Sequence, residues 1–207
     1  MIYAKAFLID LDGVLYVERR PVPGAKECLW LLEELGYPNR FVSNTTSKCR
    51  ETLAKFLGEM GFDIPEKQIL TPAVVAAKQI GLGKKRRCYL LSKEDLQKDR
   101  YWMASDGLNL AAGPFAAALE YATRKDAVVV GKPRSEFFQI ALGELRTLPE
   151  ETAMIGDDIN TDVGGAKRMG ILGILVKTGK YSEEALLRSR ISPDFTLESI
   201  ADLKRYL

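Results

Sequence analysis

The 207-residue sequence contains no histidine. That absence excludes Ser-His-Asp hydrolases, Cys-His proteases, His-liganded zinc enzymes and histidine-phosphorylated enzymes in their usual forms. Cysteine is sparse. Cys28, Cys49 and Cys88 are widely spaced, odd in number and free of any Cys-x-x-Cys pair. This argues against a disulfide framework or a zinc site and suits a reducing compartment. Charge of one sign is also lacking: 30 basic and 28 acidic residues leave a net +2. No broad basic field exists for nucleic acid or an acidic membrane, and the run Lys84-Lys85-Arg86-Arg87 reads as a solvated turn. No apolar run approaches the roughly 18 residues of a membrane span, and Lys5, Asp10 and Asp12 interrupt the stretch where a signal core would lie. The expectation is a cytoplasmic protein without nucleic-acid or membrane partners. Its chemistry must run on carboxylates, Lys, Ser/Thr, Tyr, Cys or a hard metal held by oxygen.

What is present is a regular alternation. Ala4-Lys5-Ala6-Phe7-Leu8-Ile9 is a short apolar run ending at Asp10, the pattern of a buried parallel strand that delivers an acidic loop. Residues 24–36 show helical spacing through Ala25, Leu29, Leu32 and Leu35, with Gly36 at the end. Arg40-Phe41-Val42 predicts a second strand. The polar stretch from Ser43 then opens a helix with Leu53, Phe56, Leu57 and Met60 on one face and Gly61 closing it. Between 71 and 126 the pattern weakens to a helix at 72–80, a strand at 88–91, a hairpin around Ser105-Asp106-Gly107 and a helix at 115–123 started by Pro114. Alternation resumes with strands at 127–130, 153–155 and 171–176, helices at 134–145, 161–169, 183–189 and 198–206, and an edge strand at 193–196. The predicted fold class is α/β, a Rossmann-like core with a parallel sheet over 1–70 and 127–207 and a small insert at 71–126.

In an open parallel sheet, ligands bind beyond the carboxyl ends of the strands. Polar residues gather there: Asp10 and Asp12, then Ser43 and Asn44, then Lys132, then Asp157. Each has a use. Residues two apart on an extended segment point the same way, so Asp10 and Asp12 share one site while Leu11 faces the core. A carboxylate at Asp10 can attack phosphorus, and Asp12 can protonate the leaving oxygen and later deprotonate water. Anions facing a phosphate need compensation, which Mg²⁺ on Asp10 and Asp157 supplies together with Lys132. Ser43 and Thr45, with backbone N–H groups near Asn44 at a helix start, would hold phosphoryl oxygens alongside Lys132. Asp158 and Asp162 stand behind the metal, Asp162 orienting its waters.

These residues resemble the four motifs of the haloacid dehalogenase superfamily: Asp10-Leu11-Asp12-Gly13, Phe41-Val42-Ser43-Asn44, Gly131-Lys132-Pro133 and Gly156-Asp157-Asp158-Ile159-Asn160-Thr161-Asp162. The resemblance covers nearly the whole chain and is closest to the subclass with its cap inserted between the Ser/Thr and lysine motifs. Within it, Val42-Ser43-Asn44-Thr45-Thr46 and Lys177-Thr178-Gly179-Lys180-Tyr181 look like the phospholysine phosphohistidine inorganic pyrophosphate phosphatase group. The resemblance implies a magnesium site on Asp10, the Asp12 carbonyl and Asp157. A second aspartate at position 12 implies phosphoryl rather than halide chemistry. Ser stands at 43 where the motif usually has Thr, which retains the hydroxyl.

Against the resemblance, roughly fifty residues of the cap are missing between Leu91 and Tyr101, leaving a stub of domain-fragment size. A stub implies an open site, loose specificity or macromolecular substrates, and leaves a homodimer open. Tyr101 and Trp102 read as packing the stub on the core, or as a substrate platform. The implied partner is a small phosphorylated compound, pyrophosphate or a phosphorylated macromolecule. Three other classes compete: a phospho-receiver domain, a non-catalytic scaffold and a phosphotransferase. The adjacent acidic pair of a receiver, the full motif set and the lack of a water-excluding cap respectively weigh against them.

Overall fold

The computed structural model describes residues 2–82, 101–104, 107–110 and 112–207. β1 (Ala6–Asp10) is buried along its whole length. Phe7 and Ile9 enter one hydrophobic cluster, Ala6 and Leu8 another, as the two-residue period of a strand covered on both faces requires. A turn through Gly13 leads to a small antiparallel hairpin, β2 (Tyr16–Val17) and β3 (Arg20–Pro21). α1 (Ala25–Glu34) buries Ala25, Cys28 and Leu32; Leu35, expected on that face, is 53% exposed just past the helix end, and Cys28 takes part in its place. β4 (Asn39–Val42) follows, then α2 (Arg50–Glu59), which buries Leu53 and Leu57. β5 (Ile69–Leu70), α3 (Pro72–Leu82), a hairpin of β6 (Tyr101–Ala104) and β7 (Gly107–Leu110), and α4 (Ala112–Thr123) come next.

The second half runs α5 (Ser135–Leu145), β8 (Thr152–Gly156), a wide π turn (Ile159–Val163) continuing into α6 (Gly164–Arg168), then β9 (Leu172–Val176), α7 (Glu183–Ser189) and β10 (Phe195–Leu197). A 3₁₀ turn over Ile200–Arg205 closes the chain where an α-helix was expected. One six-stranded sheet, ordered β10-β9-β8-β1-β4-β5 and parallel throughout, organises these elements. α5 contributes Phe137, Phe138, Ala141, Leu142 and Leu145 to one face; α1, α2 and the C-terminal turn cover the other. The chain leaves β1 in both directions, so Asp10 sits where the strand order reverses.

Three local expectations change. Residues 127–130 form no strand, and Val128 is 68% exposed. β1 already has β4 and β8 beside it and the outer edge of β4 is taken by β5; the apolar run joins neither these strands nor the open outer edge of β5. β5 is only two residues long, too short for a periodicity to show. The stretch after Ser43 is an extended loop up to α2 at Arg50, and the expected helix at 161–169 opens as the π turn. The strand expected at 88–91 and the packing of Tyr101 and Trp102 lie outside the described residues. The hairpin of β6 and β7 forms its own two-stranded sheet, while Val75 of α3 is buried in the core. Among the described residues no helix is long and apolar enough to cross a membrane.

Candidate active site

Asp10 ends β1 in the middle of the sheet and is 8% exposed. Leu11 behind it is fully buried and Asp12 beyond it is exposed, so the two-residue alternation holds through the turn. Asp12 bridges to Tyr16, and the Gly13 N–H donates to the Tyr16 carbonyl at 2.7 Å, which ties the acidic turn to the first hairpin.

Lys132 reaches into the same space from the loop before α5. Its Nζ donates to Asp10 Oδ1 at 2.7 Å and lies 2.7 Å from Asp162 Oδ1 as a buried ion pair. Burial alone would lower the Lys132 pKa, but the two carboxylates raise it instead. The ammonium is therefore a fixed positive charge. Asp162 stands in the first turn after β8, and Gly156 opposite it admits the close approach: a Cβ there would lie 2.2 Å from the Asp162 Cβ.

Asp157, directly after β8, completes the group. Ligand oxygens of Asp10, Asp157 and Asp162 lie within 4.8 Å of one another, all three buried. Three carboxylates against one ammonium leave an excess of buried negative charge. Burial pushes Asp10 up, with Asp157 adding to the effect against the pull of Lys132. Burial likewise raises Asp157 to about 6 and Asp162 to about 7. Asp162 Oδ1 meets only the Lys132 ammonium, at 2.7 Å. A hard divalent cation fits this donor set of three buried carboxylates, whose surplus negative charge it would offset. The sequence placed Asp162 behind the metal. The structure puts it in the carboxylate cluster itself, and the Asp12 side chain is not among the three.

The loop after β9 closes over Asp157. Lys180 N–H donates to Asp157 Oδ2 at 2.6 Å, and the Thr178 hydroxyl donates to the Gly13 carbonyl. Gly13 (φ +88°) and Gly179 (φ +60°) press on the same carboxylate. A Cβ at either would lie 1.8 or 2.1 Å from Asp157 Oδ2, and one at Gly179 only 2.3 Å from the Gly13 Cα. Asp158 turns away: its Oδ1 accepts from the N–H groups of Asn160 and Thr161 as a helix cap, while its own N–H donates to Asp162.

Ser43 is buried at the end of β4, and its Oγ accepts from the Thr45 N–H at 3.1 Å, so its own hydroxyl proton remains to donate. Thr45 Oγ1 pairs with Ser47 Oγ at 3.2 Å. The Asn44 side chain is engaged with the Lys132 main chain through two hydrogen bonds, at 2.8 and 2.9 Å.

A family model described as haloacid dehalogenase-like hydrolase matches residues 7–100, and a second, HAD-hydrolase-like, matches residues 129–203. The Rattus norvegicus protein named haloacid dehalogenase-like hydrolase domain-containing protein 2 is 38% identical, covering 94% of this chain and 92% of its own length. The chain belongs to the haloacid dehalogenase-like hydrolase family. Phospholysine phosphohistidine inorganic pyrophosphate phosphatase from Danio rerio is 32% identical over 86% of this chain and 84% of its own length. Among solved structures, p-nitrophenyl phosphatase from Archaeoglobus fulgidus superposes with a TM-score of 0.80 at 25% identity, covering 99% of both chains. This haloacid dehalogenase-like hydrolase is accordingly an enzyme of the phosphohydrolase class. The rat alignment runs over 239 positions, more than the 207 residues available here, so the surplus falls opposite gaps in this chain.

Two contributors to the hydrolase site had no role assigned from sequence: Gly179 and the Lys180 N–H. Their signal was faint, a glycine three residues past a strand end, and a backbone donor leaves no trace in composition.

Proposed function

We propose that the protein is a magnesium-dependent phosphatase that hydrolyses phosphoesters, phosphoamides or pyrophosphate through an aspartyl-phosphate on Asp10. The observation that carries this reading is the buried Asp10 carboxylate, held at 2.7 Å by Lys132 at the centre of the sheet. An Asp10 oxygen attacks phosphorus, the bond to the leaving oxygen (nitrogen in a phosphoamide) breaks, and Asp12 gives that atom its proton. Water then attacks the phosphorus of the aspartyl-phosphate, Asp12 takes the water's proton, and phosphate leaves with the Asp10 carboxylate restored. Asp12 is exposed, as a group exchanging protons with leaving group and water must be.

Lys132 balances charge on the nucleophile and the phosphoryl group, and Ser43 with the N–H groups of the following loop binds phosphoryl oxygens. Asp10, Asp157 and the Asp12 carbonyl would hold Mg²⁺, with Asp162 beside them. Bound there, a divalent cation would help keep Asp10 ionised and would offset charge on the phosphoryl oxygens. Residues 71–126 form a shortened cap on a core of 1–70 and 127–207, a reading supported by the separate β6–β7 sheet and the gapped alignment. The free thiols of Cys28 and Cys49 accord with a cytoplasmic location.

The test is phosphate release from para-nitrophenyl phosphate and from pyrophosphate, with magnesium and with excess EDTA, for wild type and Asp10→Asn. Magnesium-dependent turnover lost in the variant is expected. Substantial turnover by Asp10→Asn would remove Asp10 as nucleophile.

A further inference from the structure

Lys132 Nζ must sit between Asp10 and Asp162, yet the chain leading into it belongs to no strand: residues 125–130 have no regular structure. On its far side the loop is well held. Arg134 N–H donates to the Gly131 carbonyl, Arg168 reaches the Pro133 carbonyl, and Gly165 of α6 lies so close that a Cβ there would be 3.0 Å from the Pro133 Cα. On the near side the holding group is Asn44. Its Oδ1 accepts from the Lys132 N–H at 2.8 Å and its Nδ2 donates to the Lys132 carbonyl at 2.9 Å. A planar amide pairing with both main-chain groups of one residue fixes position and rotation together. Gly131 makes the approach feasible: at φ +117°, a Cβ there would lie 3.0 Å from Asn44 Oδ1 and 3.3 Å from Pro72 Cγ.

We infer that Asn44 is a positioning residue that acts through Lys132, its side-chain amide standing in for the strand pairing that the Lys132 loop lacks. The inference rests on the role of Lys132 proposed above. Asn44 follows Ser43 directly, so one short segment both presents the hydroxyl expected to meet the phosphoryl group and registers the ammonium opposite it. The Asn44 amide is thus used on the Lys132 main chain, while the phosphoryl role read from the sequence rests on the backbone N–H groups near Asn44.

The experiment is a double-mutant cycle. We would measure kcat and KM on para-nitrophenyl phosphate with saturating magnesium for wild type, Asn44→Ala, Lys132→Ala and the double variant, with thermal melts of each. A misplacement of about 1 Å costs on the order of a hundredfold, so Asn44→Ala should lower kcat by roughly ten- to a hundredfold while leaving the protein folded. In the Lys132→Ala background the same change should alter kcat by less than about twofold, since residues acting as a unit are not additive. Asn44→Asp adds a readout that a packing role would not move. Protonated, its carboxyl can both accept from the N–H and donate to the carbonyl; ionised, it cannot donate. Its activity relative to wild type should therefore climb as pH falls, while the Asn44→Ala ratio stays flat.

An undiminished Asn44→Ala effect in the Lys132→Ala background, or a wild-type kcat for Asn44→Ala, would overturn the inference. So would an Asn44→Asp ratio that does not respond to pH, the deciding result if Asn44→Ala fails to fold. Wild-type turnover by Lys132→Ala is a different failure: it removes the proposed role of Lys132 and leaves Asn44 nothing to position.

Discussion

At Lys132 a single ammonium faces Asp10 and Asp162, and all three are buried. Its removal should cost about 2.7–4 kcal/mol of transition-state stabilisation, the scale of a lost oxyanion donor. Lys132→Ala should accordingly show the loss in kcat; an effect confined to KM would mean that Lys132 only binds substrate. The carboxylates carry a second consequence. Burial raises Asp157 to about 6 and Asp162 to about 7, from 3.8 for an ordinary aspartate. The metal-free folded state thus holds protons that the unfolded chain has released. Stability from these groups is full below pH 3.8 and is lost as pH rises through 6 and 7. The Tm of EDTA-treated protein should rise between pH 7.5 and 5.5, and saturating magnesium should flatten that slope. A Tm that falls over that interval without metal would mean that the carboxylates are ionised as folded. At this scale the sequence was informative, because a carboxylate at a strand end is visible as an interruption of an apolar run. It could not reveal that Asp162 joins the cluster or that Asn44 turns to Lys132, since both depend on where the π turn and an unpaired loop come to rest.

The elements divide by how much periodicity they carry. β1, β8 and α5 were legible because apolar residues run through them and polar or glycine residues bound them. β5 has two residues, and 127–130 has the composition of a strand but joins no sheet; in both, pairing decided and composition did not. The loop after β9 makes the same point with a glycine. Gly179→Ala drives a Cβ into Asp157 and the Gly13 turn. It should lower activity at least about tenfold and raise the magnesium concentration needed for half-activation, as small displacements at a site do. Gly143, inside α5 with open space around it, provides the contrast. Gly143→Ala should leave activity unchanged and stabilise the protein by about 0.4–1 kcal/mol, read from denaturant unfolding. Equal behaviour of the two variants would show that Gly179 is not a site of close contact.

For the molecule as a whole, the fold class and the strand-end position of the site followed from strands alternating with helices, whereas the segment at 71–126 stayed opaque because no strong period runs through it. The two ends of that segment lie side by side. Pro72, which opens α3, and Gly131, which precedes Lys132, come close enough that a Cβ on the glycine would meet the proline ring at 3.3 Å. The chain thus leaves the core region after α3, which still packs on it through Val75, and rejoins it at Gly131 beside the start of that helix. Replacing residues 79–127 with a Gly/Ser linker of about ten residues, whose average span of about 18 Å is close to the length of α3, should preserve a single cooperative melt. Loss of cooperativity would place part of the core's stability inside the excursion. Because its two ends already meet, lengthening or shortening that segment imposes little additional closure entropy on the sheet. Its size can drift over generations while the catalytic platform beneath keeps its register.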